Sequence, residues 1–314
     1  MAIYLVTGAG GFIGSALVRA LLERGHSVRG LDNFATGKRE NIGEILDRVD
    51  FRQADLLDPA ALADACRGVD YVLHQAAIPS VPKSIADPAT SHRVNAGGTL
   101  ALLTAARDAQ VKRVVYASSS SVYGDSPTLP KHEAMPPNPI SPYAVSKLAG
   151  ELYAISFYRV YGLETVSLRY FNIFGPRQDA NSEYSAVLAT FIFRMLSGEQ
   201  PAIFGDGQQS RDFTYIDNAV EANLLACEAP AAQAAGHVFN VATGQRADLN
   251  RTYSLLQKLT GYSGPARFTS ERAGDIKHSL ADISLAEKHL GYKVRVDFEE
   301  GLRRTVEWYR QQPR

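Results

Sequence analysis

A tyrosine and a lysine four residues apart, Tyr143 and Lys147, have the chemistry to move a proton. They begin a predicted helix, Pro142–Tyr161, and a spacing of four places both side chains on one helix face. A lysine ammonium stabilises a neighbouring phenolate, so we expect the pKa of Tyr143 to be drawn down from about 10. Such a phenolate could remove the proton of an alcohol during its oxidation. Because this spacing is common by chance on helix surfaces, the pair needs support from elsewhere in the chain.

A glycine-rich loop near the start of the chain gives that support. Gly8, Gly11 and Gly14 follow a strand-like apolar run, and they open an apolar helical pattern. Glycines let the backbone turn sharply and approach a diphosphate, whose negative charge is favoured at a helix N-terminus. Alone, the motif is as often a structural turn, but between a strand and a helix it predicts a dinucleotide site.

The next predicted strand ends in an acidic residue that can select the cofactor. Asp32 directly follows the strand-like run Ser27–Leu31. A carboxylate at this place can bind both ribose hydroxyls and repel a 2′-phosphate. Asp32 therefore favours NAD over NADP, although the nearby cations Lys38 and Arg39 leave NADP open.

Composition restricts the classes of partner. The chain has 314 residues, with 33 Lys+Arg balanced by 33 Asp+Glu, so there is no bulk basic field to attract nucleic acid. Its two cysteines, Cys66 and Cys227, lack metal-ligand spacing, so we expect buried reduced thiols and no metal site. We find neither a signal-peptide pattern nor an apolar run of membrane-spanning length, and we expect a cytoplasmic protein without a membrane partner.

Alternating strand and helix patterns predict the fold. Strand-like runs are Ile3–Val6, Ser27–Leu31, Asp50–Arg52, Tyr71–His74, Arg113–Ala117 and Thr165–Leu168, and helical patterns fall near Phe12–Arg24, Pro59–Cys66, Ala89–Asp108 and Pro142–Tyr161. This alternation predicts an α/β fold with a Rossmann-type doubly wound parallel sheet. We expect residues 1–174, with about 212–241, to form the NAD-binding domain. Residues 175–211 and 242–314 would form a smaller α/β domain that binds the substrate.

Several further motifs carry a family resemblance over nearly the whole chain. They are Gly8-x-x-Gly11-x-x-Gly14, Asp32-Asn33, Asp55-Leu56, Gln75-Ala-Ala77, Ser118-Ser-Ser-Ser-Val-Tyr-Gly124, Tyr143-x-x-x-Lys147, Tyr170-Phe-Asn172 and Arg211-Asp-Phe-Thr-Tyr-Ile-Asp217. With them the chain resembles the extended short-chain dehydrogenase/reductase family, in its NAD-dependent nucleotide-sugar epimerase and dehydratase branch. Within that branch it most resembles the UDP-N-acetylglucosamine and UDP-glucose 4-epimerases.

The resemblance implies a role for each matching position. The catalytic residues would be Ser119, Tyr143 and Lys147. The NAD contacts would be Gly8, Gly11, Phe12, Ile13, Gly14, Asp32, Asn33, Thr36, Gly37, Asp55, Leu56, Gln75, Ala76, Ala77, Asn95, Tyr143, Lys147 and Tyr170. The UDP-sugar contacts would be Ser119, Asn172, Gln178, Val187, Phe204, Arg211, Arg272, Asp275 and Ser279. Arginines in the second set suit a diphosphate, whose charges a guanidinium can neutralise and orient.

Neighbouring reactions of this branch fit the sequence less well. The 4,6-dehydratases carry an Asp-Glu pair after the catalytic hydroxyl residue, where this chain has Ser120 and Ser121. UDP-glucuronate decarboxylases carry a glutamate where Ser121 stands. A simple reductase would exchange NADPH, which Asp32 opposes. The remaining reaction is C4 epimerisation of a UDP-hexose through transient oxidation to a 4-keto sugar on bound NAD.

Two alternatives stay open beside that expectation. One is a UDP-glucuronate 4-epimerase or another NAD-dependent enzyme that modifies nucleotide sugars. The other is an NAD-binding regulator without turnover, against which the intact Ser119, Tyr143 and Lys147 argue.

The resemblance also bears on the sugar and on assembly. Ser279 stands where glucose-restricted 4-epimerases tend to carry a tyrosine, so a small side chain would leave room for a 2-acetamido group. This implies UDP-GlcNAc and UDP-GalNAc as substrates, together with UDP-Glc and UDP-Gal, unless Ser279 is a solvated serine without a sugar contact. Relatives often dimerise through the helices predicted near Ala89–Asp108 and Pro142–Tyr161, so we expect a homodimer.

Overall fold

The computed structural model describes residues 1–180, 187–270 and 277–312. Its strands are β1 (Ile3–Thr7), β2 (Ser27–Asp32), β3 (Asp50–Gln53), β4 (Tyr71–His74), β5 (Arg113–Ser119), β6 (Glu164–Tyr170), β7 (Ile173–Phe174), β8 (Ala202–Phe204), β9 (Ser210–Arg211), β10 (Thr214–Tyr215), β11 (His237–Val241), β12 (Ala247–Asp248) and β13 (Arg267–Thr269). Seven of them form one sheet in the order β11-β6-β5-β4-β1-β2-β3. Every neighbouring pair in that sheet is parallel.

Helices cover both faces of this sheet. They are α1 (Phe12–Glu23), α2 (Pro59–Cys66), α3 (Val81–Ala86), α4 (Pro88–His92), α5 (Gly98–Asp108), α6 (Pro142–Tyr161), α7 (Val187–Leu196), α8 (Ile216–Glu228), α9 (Ala231–Ala234), α10 (Leu249–Thr260), α11 (Ser284–Leu290) and α12 (Phe298–Arg310). Helices α1 and α8 pack together, and α2, α5 and α6 pack as a second group.

Side chains of successive strand residues enter different cores. Val6 and Val115 belong to the core that contains α1 and α8, whereas Leu5 and Val114 belong to the core of α2 and α5. Strand side chains point alternately to the two faces, so buried residues at consecutive positions require a cover on each face. The doubly wound α/β fold and the six predicted strands are therefore confirmed.

One predicted helix is not continuous in the structure. The segment predicted as a single helix over Ala89–Asp108 consists of α4, a π-helical turn at Arg93–Gly97, and α5. The side chain of Asn95, in this turn, accepts a hydrogen bond from the Ile78 backbone at 2.8 Å. A π turn inserts a residue into the helical repeat, which re-aims side chains and is frequent near functional sites.

The later part of the chain builds smaller units on this sheet. Three two-stranded sheets, β7 with β10, β8 with β13 and β9 with β12, lie after β6 along the chain. Helix α8 and strand β11 return to the large sheet, where β11 pairs with β6. None of the helices in the described ranges has the length and apolar character needed to cross a membrane.

Candidate active site

A cleft of about 1560 Å³ opens beyond the carboxyl ends of the parallel strands. It is lined by the loops after β1, β2, β4, β5 and β6, and also by Trp308 and Tyr309 of α12. Ligands of open α/β sheets bind at this edge, because the strand ends and helix N-termini converge there. The predicted site residues are therefore expected to line this cleft.

The loop after β1 has the shape of a diphosphate cradle. Gly8 has a φ of +70°, and a Cβ added there would lie 2.7 Å from the backbone nitrogen of Ala76. A Cβ added at Gly14 would lie 1.9 Å from the carbonyl oxygen of Gly8. No larger residue fits either position without moving the backbone, so the loop stays thin at the N-terminus of α1. These positions fit the diphosphate of a dinucleotide.

Asp32 lies at the end of β2 and is 7% exposed. Its carboxylate accepts hydrogen bonds from the backbone nitrogens of Gly10 at 2.8 Å and Phe34 at 2.7 Å. Burial raises the pKa of Asp32, and these two hydrogen bonds oppose that rise. The carboxylate is thus fixed next to the glycine loop, in the position that a cofactor ribose requires.

Lys38 and Arg39, the two cations that kept NADP possible as the cofactor, each contact another side chain. Lys38 Nζ lies 3.0 Å from a carboxylate oxygen of Asp179, on the other side of the cleft. The guanidinium of Arg39 lies 5.8 Å from the ring centroid of Phe34. Each cation thus has a contact in the structure, Lys38 with Asp179 and Arg39 with the ring of Phe34.

The proton-transfer residues meet where β5 ends and α6 begins. Ser141 caps α6, accepting a hydrogen bond from Ala144 at 3.2 Å. One turn on, Lys147 donates from Nζ to the carbonyl oxygen of Ala117 at 2.9 Å, which ties the helix to β5. Burial lowers the pKa of Lys147 to about 8. The side chain thus remains a protonated ammonium at neutral pH, although it binds its proton less firmly than an exposed lysine does.

The prediction that the pKa of Tyr143 is lowered is wrong. Burial raises the pKa of Tyr143, and the hydrogen bond with Ser119 lowers it by less. Desolvation disfavours a phenolate, and here it outweighs the stabilising contact. The ammonium of Lys147 is directed at the backbone of β5, so it does not offset the burial. The phenol is therefore protonated in the resting protein at neutral pH.

The predicted cofactor residues gather in the cleft with one exception. The cleft is lined by Gly8, Gly11, Phe12, Ile13, Gly14, Asp32, Asn33, Thr36, Gly37, Asp55, Leu56, Gln75, Ala76, Ala77, Tyr143, Lys147 and Tyr170. Asn95, at 2% exposure, lies beneath the lining. Its amide donates to Ser146 Oγ at 3.1 Å and also pairs with the backbone of Ile78. Asn95 thus joins the loop after β4 to α6, and the prediction that it contacts NAD directly is not supported.

The predicted substrate residues are more dispersed. Ser119, Asn172 and Gln178 line the cleft. Val187, Phe204, Arg211 and Ser279 are not among the lining residues, and Arg272 and Asp275 lie outside the described residues.

Among these, Ser279 lies directly behind a lining residue. Ser279 is 9% exposed, and its Oγ accepts hydrogen bonds from Asn172 Nδ2 at 3.2 Å and from the Asp212 backbone at 3.3 Å. Ser279 is therefore not solvated, whereas a contact between Ser279 and the sugar stays a prediction. Arg211 donates to the carbonyl oxygens of Ser210 and Lys277 at 3.1 and 3.0 Å.

A buried amide that the sequence did not reveal supports the floor of the cleft. Asn223 of α8 donates to the Tyr170 hydroxyl at 2.7 Å and accepts from the Gln75 amide at 3.2 Å. Burial raises the pKa of Tyr170 to about 12, so this hydroxyl stays protonated. The three side chains come from β6, α8 and the end of β4, and no local motif signals their meeting.

Known proteins share this fold. The model of the NAD dependent epimerase/dehydratase family matches residues 4–242. A UDP-glucose 4-epimerase of Mycolicibacterium smegmatis is 40% identical over 312 residues, covering 98% of each chain. The structure of UDP-N-acetylglucosamine 4-epimerase from Methanobrevibacter ruminantium, in complex with UDP-N-acetylmuramic acid, is 42% identical, with a TM-score of 0.94 over 99% of each chain.

A third similarity concerns a relative seen with its cofactor. UDP-glucuronic acid 4-epimerase from Bacillus cereus, in complex with UDP-glucuronic acid and NAD, is 35% identical, with a TM-score of 0.91 over 98% of this chain and 99% of that one. The glycine cradle and Asp32 described above fit the same cofactor. This chain belongs to the NAD dependent epimerase/dehydratase family.

Proposed function

We propose that this protein is an NAD-dependent UDP-sugar 4-epimerase that interconverts UDP-GlcNAc and UDP-GalNAc, and also UDP-Glc and UDP-Gal. The observation that carries the proposal is the meeting of Ser119, Tyr143 and Lys147 beside the glycine cradle in one cleft. A cofactor that is oxidant and reductant in turn needs only one proton-transfer group near the sugar carbon. Similarity to 4-epimerases over nearly the whole chain supports the same reaction.

The chain's own residues would handle the proton. The glycine cradle and Asp32 would hold NAD, which when bound would supply the hydride acceptor for C4 and then the hydride donor. Tyr143 is a phenol in the resting protein, so it would act as the base only after losing its own proton, a loss that the positive charge of an oxidised nicotinamide beside it would favour. As the phenolate, stabilised by its hydrogen bond with Ser119, it would take the proton of the C4 hydroxyl and later give it back. Lys147 fixes the end of β5 through Ala117 and contributes positive charge near neutral pH.

The choice of sugar rests on the surroundings of Asn172. This residue lines the cleft, and its side-chain amide bonds to Ser279 immediately behind it. A serine at 279 adds little bulk behind Asn172, whereas a bulky side chain there would push Asn172 toward the cleft, so the serine favours a 2-acetamido sugar. The 42% identity to a UDP-N-acetylglucosamine 4-epimerase supports this substrate.

Incubation of the purified protein with UDP-GlcNAc, UDP-Glc and UDP-GlcA in separate reactions tests the proposal. We expect NMR to show C4 epimers of the first two without added cofactor. Conversion of UDP-GlcA alone would replace the proposed substrates with a uronic acid, whose carboxylate needs a cation near C6. A strict requirement for added NADPH, with stoichiometric consumption, would overturn the epimerase assignment.

We extend the proposal to organisation and assembly. Residues 1–174 and 212–241 would hold NAD, and residues 175–211 and 242–314 would hold the UDP-sugar. A second copy would pack on α6, which exposes the apolar side chains of Val145, Leu152 and Val160. Light scattering after gel filtration should give twice the chain mass, and Leu152→Glu should give the monomer mass.

A further inference from the structure

A buried ion pair lies directly behind the proton-transfer residues. Glu151 and Arg169 are 2% and 4% exposed, and they form a forked pair with N–O distances of 2.9 and 2.8 Å. The hydroxyl of Ser118 donates to the same carboxylate. On its other side, the Arg169 guanidinium lies 4.6 Å from the ring centroid of Tyr123. The pair thus joins α6, β5 and β6 in one network.

Residues of this network are close in sequence to the proposed catalytic residues. Ser118 directly precedes Ser119 at the end of β5, and Glu151 follows Lys147 by one turn of α6. Lys147 itself holds Ala117, the residue before Ser118, at 2.9 Å. Consecutive residues of β5 are therefore bound by residues of α6 at a spacing of four, which fixes how the strand and the helix lie against each other.

We propose that Glu151 is a positioning residue for the proton transfer, an inference that rests on the proposed function. Arg169 holds the Glu151 carboxylate, and Ser118 donates a hydrogen bond to it. Glu151 fixes the end of β5 against α6, so that the Ser119 hydroxyl meets the phenol of Tyr143. Neither Glu151 nor Arg169 lines the cleft, so the pair acts through Ser118 and not on the sugar. A misplacement of about 1 Å at reacting groups can lower a rate on the order of 100-fold.

The ionic character of the pair fits this role better than a role in stability alone. Taking two charges out of water is unfavourable, and well-packed apolar residues often serve a core as well or better. A forked guanidinium–carboxylate pair, in contrast, has one preferred geometry and fixes direction as well as distance.

The same two strands provide matched controls at their opposite ends. Arg113 and Glu164, at the amino ends of β5 and β6, form a second ion pair, in which Nε and Nη2 of the guanidinium donate to one carboxylate oxygen at 2.8 and 2.6 Å. Thr165 Oγ1 donates to the carbonyl oxygen of Ala154 in α6 at 2.7 Å, the counterpart of the Ser118 contact. These groups join the same elements at the amino ends of the strands, and none of them lines the cleft.

The experiment compares Glu151→Gln with Glu164→Gln, and Ser118→Ala with Thr165→Val, in the protein as purified. Glu151→Gln removes the charge at constant shape, and Ser118→Ala leaves the ion pair intact, so at least one variant should fold. We expect kcat for UDP-sugar epimerisation to fall about 10- to 100-fold in the 151 and 118 variants, with KM nearly unchanged. The 164 and 165 variants should lose thermal stability and keep kcat.

A spectroscopic readout separates positioning from turnover. Ultraviolet titration of each variant, minus the same variant carrying Tyr143→Phe, reports the pKa of Tyr143. Because the Ser119 hydrogen bond lowers that pKa, loss of positioning should raise it in the 151 and 118 variants only. An unmoved Tyr143 pKa, or equal kcat losses in variants and controls, would overturn the positioning role. If the wild-type protein epimerises no UDP-hexose, the proposed function fails, and the titration alone decides the role of Glu151.

Discussion

The proposed cofactor side and the proposed sugar side of the cleft are built in different ways. On the cofactor side, the lining residues sit in short motifs directly after β1, β2, β3 and β4. On the sugar side, the predicted contacts come from separated segments, and only some of them line the cleft. Asn172 meets Ser279 across 107 residues of sequence.

This difference follows from how each side is shaped. The cofactor contacts are set by backbone geometry at strand ends, where a glycine or an acid is needed at a fixed position. The predicted sugar contacts depend on how distant segments pack, as Asn172 and Ser279 do. In the proposed reaction the hexose must be held loosely enough to present both faces. A substitution on the cofactor side should therefore affect NAD binding, and a substitution on the sugar side should affect the specificity for the sugar.

Replacement of the proposed base, where the two sides meet, should have the largest effect. Tyr143→Phe should lower kcat by about 100- to 10,000-fold, the contribution of a general base. UDP-sugar binding should persist, because the ring that packs in the cleft is kept. Steady-state kinetics and calorimetry with UDP-GlcNAc measure the two quantities. Tyr153→Phe, at an exposed position of the same helix, is the control and should behave as wild type.

Wild-type turnover by the Tyr143→Phe protein would assign the base to another residue. Loss of UDP-sugar binding together with turnover would instead show that the substitution disturbed the cleft.

A substitution on the sugar side should change specificity and leave the cofactor alone. Ser279→Tyr adds a ring behind Asn172, in a position that is already packed. We expect kcat/KM for UDP-GlcNAc relative to UDP-Glc to fall on the order of 100-fold. NAD content should be unchanged, and the melting temperature should fall because the site is buried.

The exposed Ser284→Tyr is the matched control for added bulk. An unchanged sugar ratio in a folded Ser279→Tyr protein would remove Ser279 from the account of specificity.

The opposite pattern is expected on the cofactor side. Gly14→Ala would place a Cβ 1.9 Å from the Gly8 carbonyl oxygen, so the cradle must widen. Overpacking of about 1 to 3 kcal/mol should weaken NAD binding by about 10-fold or more. The preference between UDP-GlcNAc and UDP-Glc should stay as in wild type when NAD is saturating.

Gly43→Ala serves as the control, since a Cβ there meets nothing within 4 Å. Full NAD retention in Gly14→Ala would show that the loop does not confine the diphosphate.

The smallest expected effect concerns the pH dependence of stability. The pKa of Lys147 falls from 10.5 to about 8 on folding, because burial disfavours its charge. Between these values the unfolded chain binds a proton that the folded protein has lost, so the contribution of Lys147 to stability increases with pH. From pH 8 to 10, the melting temperature of wild type should rise by a few degrees relative to Lys147→Met. Parallel melting curves across this range would contradict the buried environment of Lys147.

The sequence predicted the fold, and it predicted cofactor residues that, apart from Asn95, line the cleft, for a physical reason. Buried parallel strands are continuous apolar runs, and the residues after them carry local motifs such as Gly8–Gly14 and Asp32. The π turn at Arg93–Gly97 was not predictable, because it depends on the contact of Asn95 with the distant Ile78. Local periodicity contains no information about such a contact.

The buried residues that hold the site residues in place could not be predicted from the sequence either. Asn223 and Arg169 lie in ordinary helix and strand patterns, and only folding brings them to Tyr170 and Glu151. The direction of the Tyr143 pKa failed for a related reason: spacing along a helix says nothing about burial, which here dominates.

The central claim is that the C4 hydrogen leaves the sugar and returns to it on bound NAD. Incubation of the purified protein with UDP-GlcNAc deuterated at C4, in ordinary water without added cofactor, tests this most directly. NMR and mass spectrometry should show a C4 epimer that retains the deuterium, because a hydrogen held on the cofactor does not exchange with solvent. Replacement of the deuterium by solvent hydrogen in the epimer, or absence of the epimer, would contradict the account.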